Sequence, residues 1–120
     1  MNKNPEQYFY GQQFLEQDDY DAVSGVLRRR YISQGPSLEE FERGVESYCN
    51  VKYSIATSNA TVAIFITCTA LGLGPGDIAW TTALSFVATA NGMRQTGATV
   101  DFIDIDADSF NIDMKKLAFK

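Results

Sequence analysis

Apolar residues along this chain recur in two periods, and the alternation between them predicts an α/β fold. Between Asp18 and Arg30, Tyr20, Val23 and Leu27 fall on one helical face, with acidic residues at the start and Arg28, Arg29 and Arg30 at the end, as the helix dipole favours. Ser33-Gln34-Gly35-Pro36 reads as a turn. Ser37-Leu38-Glu39-Glu40 then reads as a capping box opening a second helix, with Leu38, Phe41, Val45 and Tyr48 along its core face. Ile55 and Ala56 end a short apolar run with strand character. Ser58-Asn59-Ala60-Thr61 breaks that run with small polar residues that start helices, and Val62, Phe65, Ile66, Thr69 and Ala70 follow at helical spacing up to a stop at Leu71-Gly72. Asp77 to Thr82 predicts a buried strand, Ala83 to Phe86 its exit loop, and Val87 to Gln95 a further helix. The run Val100 to Asp106, VDFIDID, predicts a second strand, and Ile112 begins a last helix. There is no internal repeat and no low-complexity tract.

Composition narrows this picture. The chain has 120 residues, enough for one modest core, and 45% hydrophobic content with alternating strand and helix signals suits an α/β domain. A net charge of −5 without a basic stripe argues against nucleic acid or an anionic membrane as partner. No apolar run approaches the roughly 20 residues needed to span a bilayer. Met1 to Gln13 is polar with the aromatics Tyr8, Phe9 and Tyr10, and it lacks the basic start and apolar run of a signal peptide, so the expected location is the cytoplasm. In that compartment Cys49 and Cys68, too few and too far apart for a metal site, are expected as buried thiols.

The candidate chemistry concentrates between Thr57 and Asn91. A strand, a polar turn and a helix in succession leave unsatisfied backbone N–H groups at the positive end of the helix dipole, which suits a phosphate. Ser58, Asn59 and Thr61 offer side-chain donors at the same place. The same residues also fit an ordinary N-cap. In an open α/β sheet, ligands bind where strands end and helices begin, and Phe86 lies at such an edge. Its ring is either a shelf for a flat heterocycle or part of the core. Arg28, Arg29 and Arg30 form either a solvated helix end or, through Arg30, a site for a diphosphate.

Other signals carry less. Gly72-Leu73-Gly74-Pro75-Gly76 follows a helix and precedes a strand, the reverse of the order a dinucleotide fingerprint requires, so it is a connecting turn and a nicotinamide-dependent enzyme is the outside alternative. Asn59-Ala60-Thr61 fits a glycosylation sequon but lacks a secretory signal to bring it to the machinery. The aspartates in and beside VDFIDID alternate with apolar residues as a strand edge does, and no metal site is assigned to them. The absence of histidine removes the commonest general base.

The ordered set SNATVAI, LGLGPGD, TTALSFVATAN and VDFIDID resembles the N-terminal part of the DegT/StrS-type sugar aminotransferases, which use pyridoxal phosphate. The resemblance runs from Tyr10 to about Asn111. Within that family the chain is most similar to the branch that aminates a UDP-linked 4-keto-6-deoxy sugar on the way to pseudaminic acid, through Ser33-Gln34-Gly35-Pro36, Tyr48-Cys49, Asn59-Ala60-Thr61 and Ala79-Trp80-Thr81. It implies the start of the large domain of the type I, aspartate aminotransferase-like fold, with an N-terminal arm and first helix over 1–36 and an incomplete coenzyme-binding domain over 37–120. It further implies that Ala60, Thr61 and Val62 hold the coenzyme phosphate and that Phe86 stacks on the pyridine ring. Tyr10, Arg30, Tyr31, Ile32, Ser33 and Ala60 match positions that contact the nucleotide-sugar. Two departures stand out: Asn59-Ala60-Thr61 replaces the frequent Ser-Gly-Thr, and Ala83 stands where a proline is common.

The same resemblance implies glutamate as amino donor and a homodimer for the full-length form. Such enzymes need about three times this length, judged from domain sizes, so a fragment is expected. Transamination requires a Schiff-base lysine and a carboxylate on the ring nitrogen. Lys3, Lys52, Lys115, Lys116 and Lys120 do not match the family's lysine motif, and Asp101, Asp104, Asp106 and Asp108 precede the segment that carries the ring-nitrogen aspartate. No catalytic residue is therefore expected in this chain. A non-catalytic binding or dimerising remnant and a pyridoxal-phosphate-dependent sugar dehydratase remain alternatives, the latter separable only by the lysine segment.

Overall fold

The computed structural model describes residues 11–120. It comprises two compact units divided between Ala56 and Thr57.

The first unit carries helices α1 (Gln17–Leu27) and α2 (Pro36–Cys49). α1 starts where the Asp19 carboxylate accepts the backbone N–H of Glu16 at 2.8 Å. It ends earlier than the sequence predicts: Arg28 is the C-cap, and Arg29 and Arg30 lie past the helix. The box expected at Ser37 and Glu40 is absent. Gly35 is the N-cap and Pro36 opens α2, because both polar side chains are held elsewhere: Arg29 Nη1 donates to Ser37 Oγ at 2.9 Å and to Glu40 Oε2 at 2.7 Å. The predicted core face of α2 is not buried, with Phe41 61% and Tyr48 92% exposed and Val45 half-buried. Apolar periodicity marks a face that can be covered, and no described element covers this one. The apolar run before Thr57 is also not a strand. The amides of Ser54 and Ala56 donate to the carboxylates of Glu46 and Glu42 at 2.9 and 2.8 Å, so α2 side chains take the place of a neighbouring strand.

The second unit is built from α3 (Ala60–Ala70), β1 (Ile78–Thr82), α4 (Ala88–Arg94), β2 (Thr99–Ile103) and α5 (Met114–Leu117). β1 and β2 are parallel, with Ile78 opposite Thr99 and Thr82 opposite Ile103, and α4 is the crossover between them. α3 stops in a tight terminus: Gly72, at φ +85°, donates to the Thr69 carbonyl and Leu73 donates to that of Cys68. The Gly-rich connection is a turn, as its order in the chain predicts, and Asp77 Oδ2 accepts the Gly74 N–H at 2.8 Å. Ala79, Thr81, Ala88, Gly92, Ala98 and Ile103 are buried and mark the seam between sheet and helices.

VDFIDID is strand only as far as Ile103. Ile105 makes an isolated antiparallel bridge to Ile112, and between them Asp106 Oδ1 accepts from the backbone N–H and hydroxyl of Ser109 at 2.9 and 2.8 Å. The turn ends the strand because its aspartate satisfies local backbone in place of a ladder partner. Asp113 caps α5, accepting the N–H groups of Lys115 and Lys116 at 2.9 and 3.2 Å. Neither cysteine is the buried thiol expected: Cys49 is exposed and Cys68 half-buried. No described helix is long and apolar enough to cross a membrane.

Candidate functional site

α3 is joined to β1 through the turn at Gly72–Gly76. Its eleven residues span about 16 Å, as do the five residues of β1. β1 exits into the loop carrying Phe86. In an open parallel sheet this is the edge that receives ligands.

Asn59 is the N-cap of α3, and its Oδ1 accepts the Val62 N–H at 3.0 Å. Its amide nitrogen donates to Ser58 Oγ at 3.2 Å, while Thr57 Oγ1 donates to the Asn59 carbonyl at 3.0 Å. One N–H of the Asn59 amide is spent on Ser58 Oγ, which accepts it and keeps its own hydroxyl hydrogen to donate. The Val62 amide is likewise committed. Among the described residues the N–H groups of Ala60 and Thr61 have no protein partner, and Ala60 is exposed. Two parallel, unpartnered amides at the positive end of an eleven-residue helix supply the geometry and field a phosphate dianion needs. The half-buried Thr61 hydroxyl adds a side-chain donor at the same turn.

Phe86 is 73% exposed and no part of the core. With Thr82, Ala83, Ser85, Thr89 and Phe102 it lines a hollow of about 250 Å³ at the exit of β1. Ser85 Oγ and Thr89 Oγ1 are hydrogen-bonded at 2.9 Å, which ties the loop to the first turn of α4. The Thr82 hydroxyl donates to the Leu84 carbonyl at 3.3 Å. These bonds hold the loop where Ala83 replaces the expected proline.

α3 and α4 meet at Gly92, which approaches both Ile64 and the carbonyl of Thr61. Phe86 precedes Gly92 by six residues and lies in the loop before α4. Ala60, Thr61 and Phe86 all belong to the second unit, in which α4 follows the Phe86 loop and touches the first turns of α3 through Gly92. Gly92 was not singled out in the sequence; the signal available was a lone glycine inside a helical pattern, which usually has a packing cause.

The sugar-contact candidates lie in the other unit, apart from Ala60. Arg30 places its guanidinium 5.5 Å from the centre of the Tyr31 ring. Among the described residues Arg28 and Arg30 form no ion pair, whereas Arg29 is neutralised by Glu40. Of the three arginines, Arg30 is thus one that keeps its charge for an anion. Tyr31, Ile32 and Ser33 are exposed, and Tyr31 lines a hollow of about 460 Å³ with Gln34, Gly35, Pro36, Leu38 and Glu39. Tyr10 lies outside the described residues.

The aspartates of the second strand region are occupied by structure. Asp101 pairs with Lys120 at 2.7 Å and Asp104 with Lys116 at 2.9 Å, while Asp106 closes its turn. The Lys120 ammonium and then the Phe102 amide hold the Asp101 carboxyl below its ordinary value. The Ser109 amide and hydroxyl do the same for Asp106, and the Asp104 carboxylate raises Lys116.

Known proteins resemble this chain in sequence and in fold. A UDP-4-amino-4,6-dideoxy-N-acetyl-beta-L-altrosamine transaminase of Campylobacter jejuni is 41% identical over 108 residues, covering 90% of this chain and 28% of the relative. The structure of an aminotransferase from Psychrobacter cryohalolentis superposes with a TM-score of 0.80 at 31% identity, over 88% of this chain and 27% of that one. NtdA of Bacillus subtilis, solved with its cofactor PMP bound, gives 0.78 at 35% identity, over 88% and 25%. The chain thus spans roughly a quarter of the length of the relatives it matches. Its fold is the N-terminal part of the type I pyridoxal-phosphate-dependent aminotransferase architecture, and pyridoxal phosphate is the cofactor these relationships indicate. With the family's sequence pattern matching residues 13–120, the chain belongs to the DegT/DnrJ/EryC1/StrS aminotransferase family.

Proposed function

We propose that this chain is the coenzyme-phosphate and ring-stacking portion of a nucleotide-sugar aminotransferase, one that moves an amino group from glutamate to the 4-keto carbon of a UDP-linked 4-keto-6-deoxy sugar. The observation that carries the reading is the pair of unpartnered amides at Ala60 and Thr61, in the same unit as the exposed Phe86 ring. Pyridoxal phosphate, when bound, supplies the electron sink for transamination. The chain's own residues bind and orient it. Ala60 and Thr61 hold the phosphate through backbone N–H groups and the Thr61 hydroxyl, and Phe86 covers one face of the ring and keeps water from it. Val62 contributes through its commitment to Asn59, which fixes the first turn that the other two amides share.

Arg30, which forms no ion pair among the described residues, is assigned to the diphosphate of the nucleotide-sugar, and Tyr31, Ile32, Ser33, Tyr10 and Ala60 to its further contacts. The full-length form is a homodimer in this reading. The specific sugar rests on the relationship to the Campylobacter jejuni transaminase. Lys3, Lys52, Lys115, Lys116 and Lys120 do not match the family's Schiff-base lysine motif, and in this reading the 120-residue chain binds coenzyme without turning over.

Equilibrium dialysis against pyridoxal phosphate, paired with an assay for amine formation from glutamate and the UDP-4-keto sugar, tests both parts. Saturable binding without amine product is expected. Absence of saturable binding would remove the cradle, and coenzyme-dependent amine formation would remove the assignment of catalysis to residues outside this chain.

A further inference from the structure

Gly92 sits inside α4 where a side chain has no room. A β-carbon built there meets Ile64 Cγ2 at 2.7 Å, Ile64 Cβ at 2.8 Å and the Thr61 carbonyl oxygen at 3.2 Å. The helical glycines Gly25 and Gly44 differ, with nothing within 4 Å of the corresponding position. Glycine is the weakest helix former after proline, so its presence inside a seven-residue helix calls for a compensating close approach.

The place of that approach matters. Thr61 is the second residue of α3 and Ile64 lies one turn on, so α4 bears on the end of α3 that carries the unpartnered amides. The same α4 follows directly from the loop that carries Phe86. The depth to which α4 seats against α3 therefore sets the distance between the amide pair and the aromatic ring.

We propose that Gly92 is a positioning residue for the coenzyme site: its missing side chain fixes the spacing between the Ala60–Thr61 phosphate cradle and the Phe86 shelf. The inference rests on the reading of those residues given under Proposed function. Adding a methyl group at Gly92 displaces α4 by several tenths of an ångström or more, since the Thr61 backbone and the branched Ile64 cannot both give way. A ligand that touches only the cradle is indifferent to this shift. A ligand that spans cradle and shelf is not.

The test compares two probes on the 120-residue chain, pyridoxal phosphate and inorganic phosphate, for wild type, Gly92→Ala and the control Gly44→Ala. Binding is read from the amide resonances of Ala60 and Thr61 and the ring signals of Phe86. Gly92→Ala is expected to weaken pyridoxal phosphate about tenfold or more, as misplacements of this scale do, while inorganic phosphate changes by less than about twofold. Gly92→Ala/Ile64→Ala, which removes the Cγ2 contact, recovers part of the loss, and Gly44→Ala changes neither probe. Equal loss of both probes, or loss of neither, overturns the proposal while leaving the cradle standing. A wild-type chain that binds neither probe sinks the cradle and this proposal with it. If Gly92→Ala alone unfolds the unit, the double variant carries the same comparison, and a double variant that also fails to fold overturns the role given to the Ile64 contact.

Discussion

Asn59 offers a way to separate the stability of α3 from its use as an anion site. Its Oδ1 accepts the Val62 N–H at 3.0 Å, and its own nitrogen is held by Ser58. Asn59→Ala removes the cap at a cost of about 1 kcal/mol. Trp80 is the only tryptophan and stands on β1 in the same unit, so its fluorescence reports the loss directly. With a urea slope of roughly 1 kcal/mol per molar for a unit of this size, the midpoint falls by about 1 M. Asn59→Asp keeps the acceptor and adds a charge that the helix dipole favours, so the stability holds within about 0.5 kcal/mol. The same carboxylate opposes a phosphate at the start of α3. At a separation of ~5 Å in water-like dielectric, each charge pair costs about 0.8 kcal/mol, so a dianion binds about fivefold more weakly after salt screening. Asn59→Ala exerts no such repulsion and exposes the Val62 amide as a third donor. Urea titration and equilibrium dialysis of pyridoxal phosphate on the three chains check the argument. An Asn59→Asp chain that binds pyridoxal phosphate as tightly as wild type would refute the placement of the phosphate, and an unmoved midpoint for Asn59→Ala would refute the cap.

Two further outcomes follow from the same unit. Phe86 is so exposed that Phe86→Ala should leave the Trp80-monitored midpoint within about 0.5 kcal/mol. The affinity for pyridoxal phosphate should fall by about 1 kcal/mol, roughly fivefold, with Phe86→Tyr retaining it; a large drop in stability would show the ring to be core after all. Asp101 and Asp106 are held below their ordinary values in the fold, so their stabilisation is present above the unfolded-state value and is lost as pH falls through the folded one. Lys116 is raised by Asp104, so its contribution is present below the unfolded-state value and lost as pH rises through the folded one. The urea midpoint should accordingly fall between pH 7 and about pH 3, and Asp106→Asn should flatten that dependence; an equally steep profile in the variant would remove Asp106 from the account.

Local chemistry made several parts of this protein legible from the residues alone. The start of α3 at Ala60, its stop at Gly72, the strand from Ile78 to Thr82, the turn at Gly72–Gly76 and the helix after Phe86 were all readable, because capping side chains, left-handed glycine and apolar periodicity act within a few residues of where they stand. The resemblance of SNATVAI and TTALSFVATAN to one aminotransferase family was readable because short motifs in a fixed order mark a family, and the family's pattern matches residues 13–120.

Other features depended on partners distant in sequence. The capping box at Ser37 and Glu40 was lost to Arg29, eight and eleven residues away, and the strand expected before Thr57 was lost to the carboxylates of Glu42 and Glu46. The apolar face of α2 was visible as a pattern, yet its exposure was not, because periodicity says which side chains share a face and nothing about what lies against it. Only the tertiary structure showed which amides of the cradle are spent on the cap, and only it showed that Gly92 lets α4 seat on Thr61 and Ile64. The sequence determined the local conformations because their causes are short-range. Tertiary packing decided the spacing of the site, because the distance between two helices is set by the atoms in contact between them and is written at neither helix alone.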